Sequence, residues 1–294
     1  MIRFAAFTDV HFDHVFDGDS RIDEFVKRIS NEPLDFIISL GDLCYPIEEN
    51  KKIITKLNRI NIPIYYVIGN HDSDCYSQET VMDFLNLNTL NYSFIIENTK
   101  FIVLNSCYMK QNDIDYPYYK KNFEKESDVY PVVSKVQIKW LQREMNDENL
   151  NYVIFSHHSL ANDFNKRGVA NRQVIQNIIS SKKTIMSING HDHGTDCKVI
   201  SGVPYYTLNS MSYIWHGLRE VYPYSNLIHK EYPYLKDMIL YKEALYCIVE
   251  INDDKVKIKG MKSEYQCTTP EDVGICDRKW NGVSIEAKVL DFQQ

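Results

Sequence analysis

Five short clusters of Asp, Asn and His residues each follow an apolar run of the sequence. They are Asp9-Val10-His11, Gly41-Asp42, Gly69-Asn70-His71-Asp72, His157-His158 and Gly190-His191-Asp192-His193. Carboxylate, amide and imidazole groups form a mixed nitrogen and oxygen ligand set, which suits Mn, Fe or Zn better than Ca or Mg. About seven candidate ligands are more than one tetrahedral ion needs, whereas two ions a few Å apart would use them. The clusters therefore predict a metal centre that holds two ions.

Two of the clusters share a spacing that favours a common site. Asp9 and His11 are two positions apart, and so are His191 and His193. Alternate side chains of an extended chain point the same way, so each pair could reach one cation or two adjacent ones. Glycines precede three of the clusters and could let the backbone turn sharply there. Each cluster alone is a weak signal, because Asp, Asn and Gly are ordinary turn residues. Five clusters in order after successive strands are very hard to obtain by chance.

The elements that must position these clusters alternate between strands and helices through the first two-thirds of the chain. Apolar residues three and four positions apart predict amphipathic helices between the strands. Ser20 is expected to cap the first helix, and Ser134 with Gln137 forms a capping box before a later one. Functional groups of α/β sheets gather outside the carboxyl ends of the strands, so the five clusters could converge on one crevice. Strands are predicted at residues 2–8, 36–40, 62–68, 92–96, 101–105, 152–155 and 184–188, with two more around Gly202.

Length and composition favour one elaborated domain. The chain has 294 residues, of which 44% are hydrophobic, and neither a linker nor an internal repeat divides it. We predict a single domain over residues 1–294, with irregular insertions near 108–130 and 213–241 that are rich in Tyr, Pro, Asn and charge. Residues 245–294 are expected to form a β-hairpin around Asp253-Asp254 and a tail with a last strand at 283–289.

Charge and cysteine content narrow the classes of partner and compartment. The chain has 33 Lys and Arg against 40 Asp and Glu, a net charge of −7, which argues against sequence-independent nucleic-acid binding. No stretch approaches the roughly 18 apolar residues of a membrane span, and the N-terminus is typical of a first strand rather than a signal peptide. The Cys residues are scattered, without a C-x-x-C pair, which favours free thiols. We therefore expect a cytoplasmic protein that acts on a small molecule, without a membrane partner; the oligomeric state is not predicted.

The order of the clusters resembles the calcineurin-like metallophosphoesterase superfamily, whose motifs are D-x-H, G-D, G-N-H-[ED], a lone His and G-H-x-H. The resemblance implies a mixed α/β fold in which two β-sheets form a sandwich flanked by helices, in four layers. It also implies a ligand for each metal position. Asp9, His11 and His193 would hold a first metal, Asn70, His157 and His191 a second, and Asp42 would bridge both.

The same resemblance implies roles in a reaction. A hydroxide that bridges the two metals would be the nucleophile, and His71 would donate a proton to the leaving oxygen, oriented by Asp72. Asp192 is expected to point away from the metals. Cys44 is expected to be a small buried hydrophobe, and His14 is expected at the surface.

The predicted function is metal-dependent hydrolysis of phosphoester bonds. The tyrosines of the two insertions favour a small phosphorylated metabolite or a nucleotide as substrate. Phosphatase, phosphodiesterase, cyclic nucleotide phosphodiesterase and nucleotide pyrophosphatase activities stay open, as does a catalytically inactive metal-binding scaffold. The second motif lacks the Arg of the phosphoprotein phosphatase branch, and Asp72 stands where that branch has Glu, so a Ser/Thr protein phosphatase is not expected. The sequence contains no C-x5-R, G-K-[ST], H-E-x-x-H or G-x-S-x-G motif of rival hydrolases.

Overall fold

Two six-stranded sheets form the centre of the fold. The structure is a computed structural model that describes residues 1–119, 129–163, 167–217, 220–252, 254–275 and 283–292. From one edge to the other, the first sheet contains β19 (Lys288–Asp291), β16 (Lys255–Lys259), β15 (Cys247–Ile251), β1 (Ile2–Phe7), β2 (Phe36–Ser39) and β3 (Ile64–Tyr66). The strands β1, β2 and β3 are parallel, and the other neighbours are antiparallel.

The second sheet has a parallel centre and antiparallel edges. It contains, in order, β11 (Asp196–Ile200), β12 (Val203–Thr207), β10 (Thr184–Asn189), β9 (Asn151–Ser156), β5 (Thr99–Leu104) and β4 (Tyr92–Ile96). The four strands from β12 to β5 are parallel, whereas β11 and β4 pair antiparallel at the edges. A parallel centre directs several strand ends to one side of the sheet, where the predicted ligands follow.

Three smaller sheets, six α-helices and five short 3-10 helices also lie among the described residues. The small sheets join β6 (Tyr108–Gln111) with β7 (Ile114–Pro117) and β8 (Tyr130–Val132), β13 (Tyr213–Trp215) with β14 (Met238–Leu240), and β17 (Met261–Lys262) with β18 (Ser284–Ile285). The α-helices are α1 (Gly18–Ile29), α2 (Lys51–Asn58), α3 (Gln78–Phe84), α4 (Lys135–Glu144), α5 (Arg172–Ser180) and α6 (Asn226–Glu231). No helix among the described residues is long and apolar enough to cross a membrane.

Buried apolar residues hold the layers together. Between the two sheets, the Phe4 ring lies 5.9 Å from that of Phe101 and 5.7 Å from that of Phe155, with edge-on geometry. Successive strand residues face opposite sides, so Phe7 packs outward against Phe25 of α1. On the outer face of the second sheet, residues of β5 and β9 form one buried cluster with residues of α4 and α5. The predicted sandwich of two sheets flanked by helices is confirmed.

The two insertions contain more regular structure than the sequence analysis expected. The described part of 108–130 includes the β6–β7 hairpin, in which Asn112 and Asp113 have φ values of 50° and 64°. Such left-handed pairs are typical of tight type I′ hairpin turns, and Asn tolerates them well. The described part of 213–241 includes β13, β14 and α6. Residues 120–128 and 218–219 of these predicted insertions lie outside the described residues.

Two predicted helix starts have different outcomes. The first helix begins at Gly18, so the expected cap at Ser20 is wrong and Ser20 lies in the first turn. Ser134 does cap α4, and its hydroxyl accepts the Gln137 N–H. The Gln137 side chain pairs with the Asn105 backbone instead of closing the capping box.

The C-terminal part completes the first sheet. The predicted hairpin is confirmed as β15 and β16, although Asp253 of its turn lies outside the described residues. The strand expected at 283–289 is two short strands, β18 and β19, in different sheets. Cys276 also lies outside the described residues, and the six described cysteines are free thiols. That residues 1–294 form a single domain stays a prediction.

Candidate metal centre

The predicted ligands gather at the carboxyl ends of five parallel strands. Each lies within four residues of such an end. Asp9 and His11 follow β1, Asp42 follows β2, Asn70 follows β3, His157 follows β9, and His191 and His193 follow β10. The first sheet thus supplies both carboxylates, and the second sheet supplies three of the four imidazoles.

The backbone at five of the seven predicted ligands is left-handed rather than extended. Asp9, His11, Asp42, His191 and His193 have φ values of 52°, 48°, 54°, 69° and 50°. The expectation that the i, i+2 pairs converge through extended backbone is therefore wrong. The left-handed conformation costs a non-glycine residue roughly 1–2 kcal/mol, and such strain concentrates at functional sites.

Glycines allow the loops to approach one another closely. A Cβ atom on Gly69 would lie 2.0 Å from Asp42 Oδ1. A Cβ atom on Gly190 would lie 2.0 Å from Thr8 Oγ1 and 2.7 Å from Asp9 Oδ2. Both positions therefore exclude any side chain because two ligand loops touch there.

The first group of ligand atoms consists of Asp9, His11 and His193. Asp9 Oδ1 lies 3.2 Å from His193 Nε2 and 3.6 Å from His11 Nε2, and the two imidazole nitrogens are 3.2 Å apart. The other Asp9 oxygen accepts hydrogen bonds from the Thr8 hydroxyl at 2.6 Å and the His191 N–H at 2.9 Å. His193 Nδ1 lies 3.1 Å from the Tyr213 carbonyl, which directs Nε2 at the carboxylate.

The second group consists of Asp42, His157 and His191. His157 Nε2 lies 3.1 Å from Asp42 Oδ2 and 3.2 Å from both His191 Nδ1 and Asn70 Oδ1. His157 Nδ1 donates to the Leu40 carbonyl at 2.8 Å, which fixes the ring. Burial lowers the pKa of His191, so that its imidazole is neutral, the form that binds metals.

The contacts among these atoms fit a ligand shell better than a hydrogen-bond network. Asp9 Oδ1 and Asp42 Oδ2 are buried and accept no hydrogen bond from any described residue. Buried carboxylate oxygens normally have a partner, and a cation supplies one. Atoms bound tetrahedrally at about 2.1 Å from an ion lie about 3.4 Å from one another, which is close to the spacing within both groups. The donor set therefore fits a metal.

Electrostatics also favours positive charge here. Burial acts to raise the pKa of Asp9, but His193 and His11 outweigh it and hold the pKa below its ordinary value. Burial acts on Asp42 in the same way, and His157 more than any other group holds its pKa low. Although burial disfavours a charged imidazole, Asp42 raises the pKa of His157 to about 10. A site that stabilises a proton this strongly would also stabilise a metal cation.

A family model described as calcineurin-like phosphoesterase matches residues 2–195, which include all five clusters. The chain belongs to the calcineurin-like phosphoesterase family. It is a phosphoester hydrolase, as predicted, and the two ligand groups fit the dinuclear metal centre of that family. None of the curated proteins matches this sequence.

Solved structures support the fold of this phosphoesterase. A dimetal phosphatase from Danio rerio is similar over 99% of both chains, with a TM-score of 0.67 and 14% identity. GAP50, the anchor in the inner membrane complex of Plasmodium, is similar over 100% of this chain and 89% of its own, with a TM-score of 0.55 and 14% identity. At such low identity the likeness shows the fold alone.

Asp72 of this phosphoesterase is part of the loop structure. One of its oxygens accepts the N–H groups of Leu43 and Cys44 at 2.8 and 3.2 Å, and the other accepts those of Asp42 and Gly69 at 3.0 and 2.8 Å. Burial and the Asp42 charge raise the pKa of Asp72 to about 7, while the hydrogen bonds from the Gly69 and Leu43 N–H groups act to lower the pKa. The prediction that Asp72 orients His71 is therefore wrong.

The contact expected of Asp72 is made by a residue that the sequence analysis missed. His71 Nδ1 lies 2.7 Å from Asp74 Oδ2, and the Tyr118 hydroxyl donates to Asp74 Oδ1 at 2.6 Å. Asp74 is 2% exposed and Tyr118 is fully buried. The only sequence signal was the position of Asp74 three residues after His71, which places both on one face of a helical turn.

The remaining predicted residues lie around the centre. Asp192 Oδ2 accepts the Asn162 amide at 3.0 Å, and Asp192 belongs to neither ligand group, as expected for a residue that points away. Cys44 is buried, and burial raises its thiol pKa. His14 is buried rather than at the surface, and its ring stacks 5.5 Å from that of His11. Its Nε2 lies 2.9 Å from the Tyr45 hydroxyl.

Proposed function

We propose that this chain hydrolyses phosphoester bonds of small organic phosphates at a centre of two metal ions. The observation that carries the proposal is the pair of ligand groups, each built around a buried carboxylate oxygen without a hydrogen bond. Asp42 suits the bridging role, because its Oδ2 lies 3.1 Å from His157 Nε2 of one group and 3.5 Å from His11 Nε2 of the other. Mn, Fe and Zn suit these ligands.

The bound cations and the residues of this chain have separate roles in the proposed reaction. Two bound cations would lower the pKa of a water between them and neutralise charge on the phosphoryl oxygens. His71 donates a proton to the leaving oxygen. Its ring lies 5.1 Å from that of His11, and its side chain is 28% exposed, so it borders both the ligands and the solvent. Asn70 places His71 next to the second ligand group.

A row of aromatic rings beside the ligands favours a substrate that contains a planar organic group. From the ligand His11, the His14 ring is 5.5 Å away, the Tyr234 ring is a further 4.7 Å, and the Trp215 ring is 6.5 Å beyond that. Trp215 is 41% exposed, so the row runs from the ligands to the surface. Aromatic faces stack on nucleobases and other planar groups. We therefore favour a nucleotide or another small phosphorylated metabolite.

The test combines metal content with a substrate panel. Protein stripped by a chelator is supplied with Mn, Zn or Fe(II), and bound metal is measured by mass spectrometry. The panel contains a chromogenic phosphomonoester, a chromogenic phosphodiester, a cyclic nucleotide and a nucleotide diphosphate sugar. We expect about two metal ions per chain and metal-dependent turnover of one substrate class.

A matched pair of variants locates the site. Asp42→Asn should lose most bound metal and about 100-fold or more of the activity, because ligand-shell changes of this kind are costly. Asp192→Asn removes the same charge at a position between two ligand histidines, and this variant should keep both its metal and its activity. Unchanged turnover in Asp42→Asn would contradict the assignment. Tight metal binding without turnover of any substrate would favour the inactive scaffold.

A further inference from the structure

Three side chains, of which Asp74 and Tyr118 are buried, form a hydrogen-bonded chain that ends beside the candidate metal centre. His71 Nδ1 lies 2.7 Å from one oxygen of Asp74, and the Tyr118 hydroxyl donates to the other oxygen at 2.6 Å. Both distances are short for neutral groups and typical of hydrogen bonds to a carboxylate. Because Asp74 and Tyr118 are almost inaccessible to water, they hold one arrangement rather than exchanging partners with solvent.

Tyr118 reaches this position from a distant part of the chain. It follows β7, 44 residues after Asp74, and its backbone N–H donates to the Cys107 carbonyl at 2.8 Å. Its side chain belongs to the same buried cluster as Met109 of β6 and Val129, which precedes β8. The described part of the insertion at 108–130 therefore contacts, through Tyr118, the residue that holds His71.

We propose that Asp74 and Tyr118 are positioning residues for His71, through which the β6–β7 insertion controls leaving-group protonation. To donate a proton from Nε2, the His71 ring must carry a proton on each nitrogen, and the Asp74 carboxylate then accepts the Nδ1–H and fixes the ring orientation. The Nε2–H is the donor to the leaving oxygen, and after the transfer the ring keeps the proton on Nδ1. Tyr118 in turn fixes the Asp74 carboxylate, so that loss of its hydroxyl lets the carboxylate and the ring rotate together.

The catalytic consequence rests on the function proposed above, whereas the contact itself does not. Protonation of the leaving oxygen matters for poor leaving groups and little for good ones, and a general acid contributes roughly 10²–10⁴-fold. Phenyl phosphate and 4-nitrophenyl phosphate are suitable probes, because they differ mainly in the leaving group.

The kinetic experiment compares Tyr118→Phe and Asp74→Asn with the unmodified metal-loaded chain. With phenyl phosphate we expect kcat to fall about 3–10-fold in Tyr118→Phe and about 100-fold in Asp74→Asn, with KM changed less than about twofold. With 4-nitrophenyl phosphate the decrease should be much smaller, and metal content should be unchanged. Equal decreases on both substrates, or a loss of metal, would overturn the proposal.

Tyr152→Phe is the matched control for the loss of a hydroxyl. Tyr152 is also buried, and its hydroxyl donates at 2.6 Å to the Asp147 carbonyl, beside the second sheet and outside the ligand loops. It should therefore lose comparable stability without any leaving-group effect. The same kinetic change in Tyr152→Phe would show that general destabilisation, rather than positioning, explains the result.

An NMR experiment, which does not require catalytic activity, tests this inference independently of the proposed function. In the diamagnetic zinc form, a proton held between His71 Nδ1 and Asp74 should give a downfield resonance in the NMR spectrum, identified by its loss in His71→Gln. It should disappear in Asp74→Asn and shift in Tyr118→Phe. If the chain hydrolyses no phosphoester but shows this behaviour, the proposed function fails and the contact stands. If the resonance is absent, or insensitive to Asp74→Asn, the positioning chain is refuted.

Discussion

Replacing Asp72 by Asn should disrupt the ligand loops before it affects any step of the reaction. In the structure the Asp72 carboxylate accepts four backbone N–H groups, two on each oxygen, from the loops after β2 and β3. The Asn amide keeps one oxygen and turns an NH2 donor towards the other two N–H groups. Two buried amides lose their acceptor, and each such loss costs about 1–2 kcal/mol.

The expected result is a decrease of about 2–4 kcal/mol in the free energy of unfolding, measured by urea denaturation with a chelator present. Asp42 donates one of the four N–H groups and is also the proposed bridging ligand, so metal content should fall as well. Asp74→Asn is the comparison, because it changes a second buried Asp in the same turn. It should retain metal and lose kcat instead.

The two variants thus separate a loop-holding Asp from a positioning Asp. If Asp72→Asn kept its stability and its metal but lost kcat on poor leaving groups, the hydrogen-bond argument would be wrong. The role that the sequence analysis gave to Asp72 would then be restored.

Two further predictions concern backbone contact and charge. Gly69→Ala places a Cβ atom 2.0 Å from Asp42 Oδ1 and should lower metal content sharply. Gly202→Ala is the control, because Gly202 has a φ of +81° and nothing within 4 Å of the added Cβ; it should lower the free energy of unfolding by about 1 kcal/mol and keep its metal. Equal metal loss in both variants would refute the close-contact argument. Burial acts to raise the pKa of Glu250, but its ion pairs with Lys259 and Arg3 together outweigh this and lower the pKa below the ordinary 4.5. Its stabilising contribution is therefore present above that value and is lost as the pH falls through the lowered pKa. Glu250→Gln should lower the urea midpoint at neutral pH and match the unmodified chain in acid, and a difference that persists in acid would contradict this.

The sequence was sufficient to predict which residues come together in the two candidate ligand groups. Asp9, Asp42 and His157 each follow an apolar run, and strand ends of parallel sheets meet at one edge whatever the detailed loop geometry. The types of these residues and their order along the chain were therefore enough to predict the candidate ligands. The argument from extended backbone was wrong, but the conclusion did not depend on it, because left-handed turns also bring His191 and His193 into the two neighbouring ligand groups.

The partner of His71 could not be predicted in the same way. The spacing of Asp74 from His71 suits one face of a helical turn, but no local pattern shows which of Asp72 and Asp74 meets the amides of the neighbouring loop. Tyr118 lies 44 residues from Asp74, beyond any local periodicity. Only the packing of the β6–β7 hairpin brings the two together, and that packing has no short-range signature.

The metal centre joins the two sheets, which links metal affinity to the stability of the sandwich. Asp9 Oδ2 from the first sheet accepts the N–H of His191 from the second at 2.9 Å, and His157 donates back to the Leu40 carbonyl at 2.8 Å. These contacts hold the strained loops in place and offset part of the cost of their left-handed backbone. An ion bound by residues of both sheets would bind the folded chain and not the unfolded one. Its stabilisation therefore grows with the logarithm of its concentration, by about 2.7 kcal/mol at 100 times the Kd. Because the ligands come from both sheets, cation binding and the packing of the two sheets against each other are thermodynamically linked.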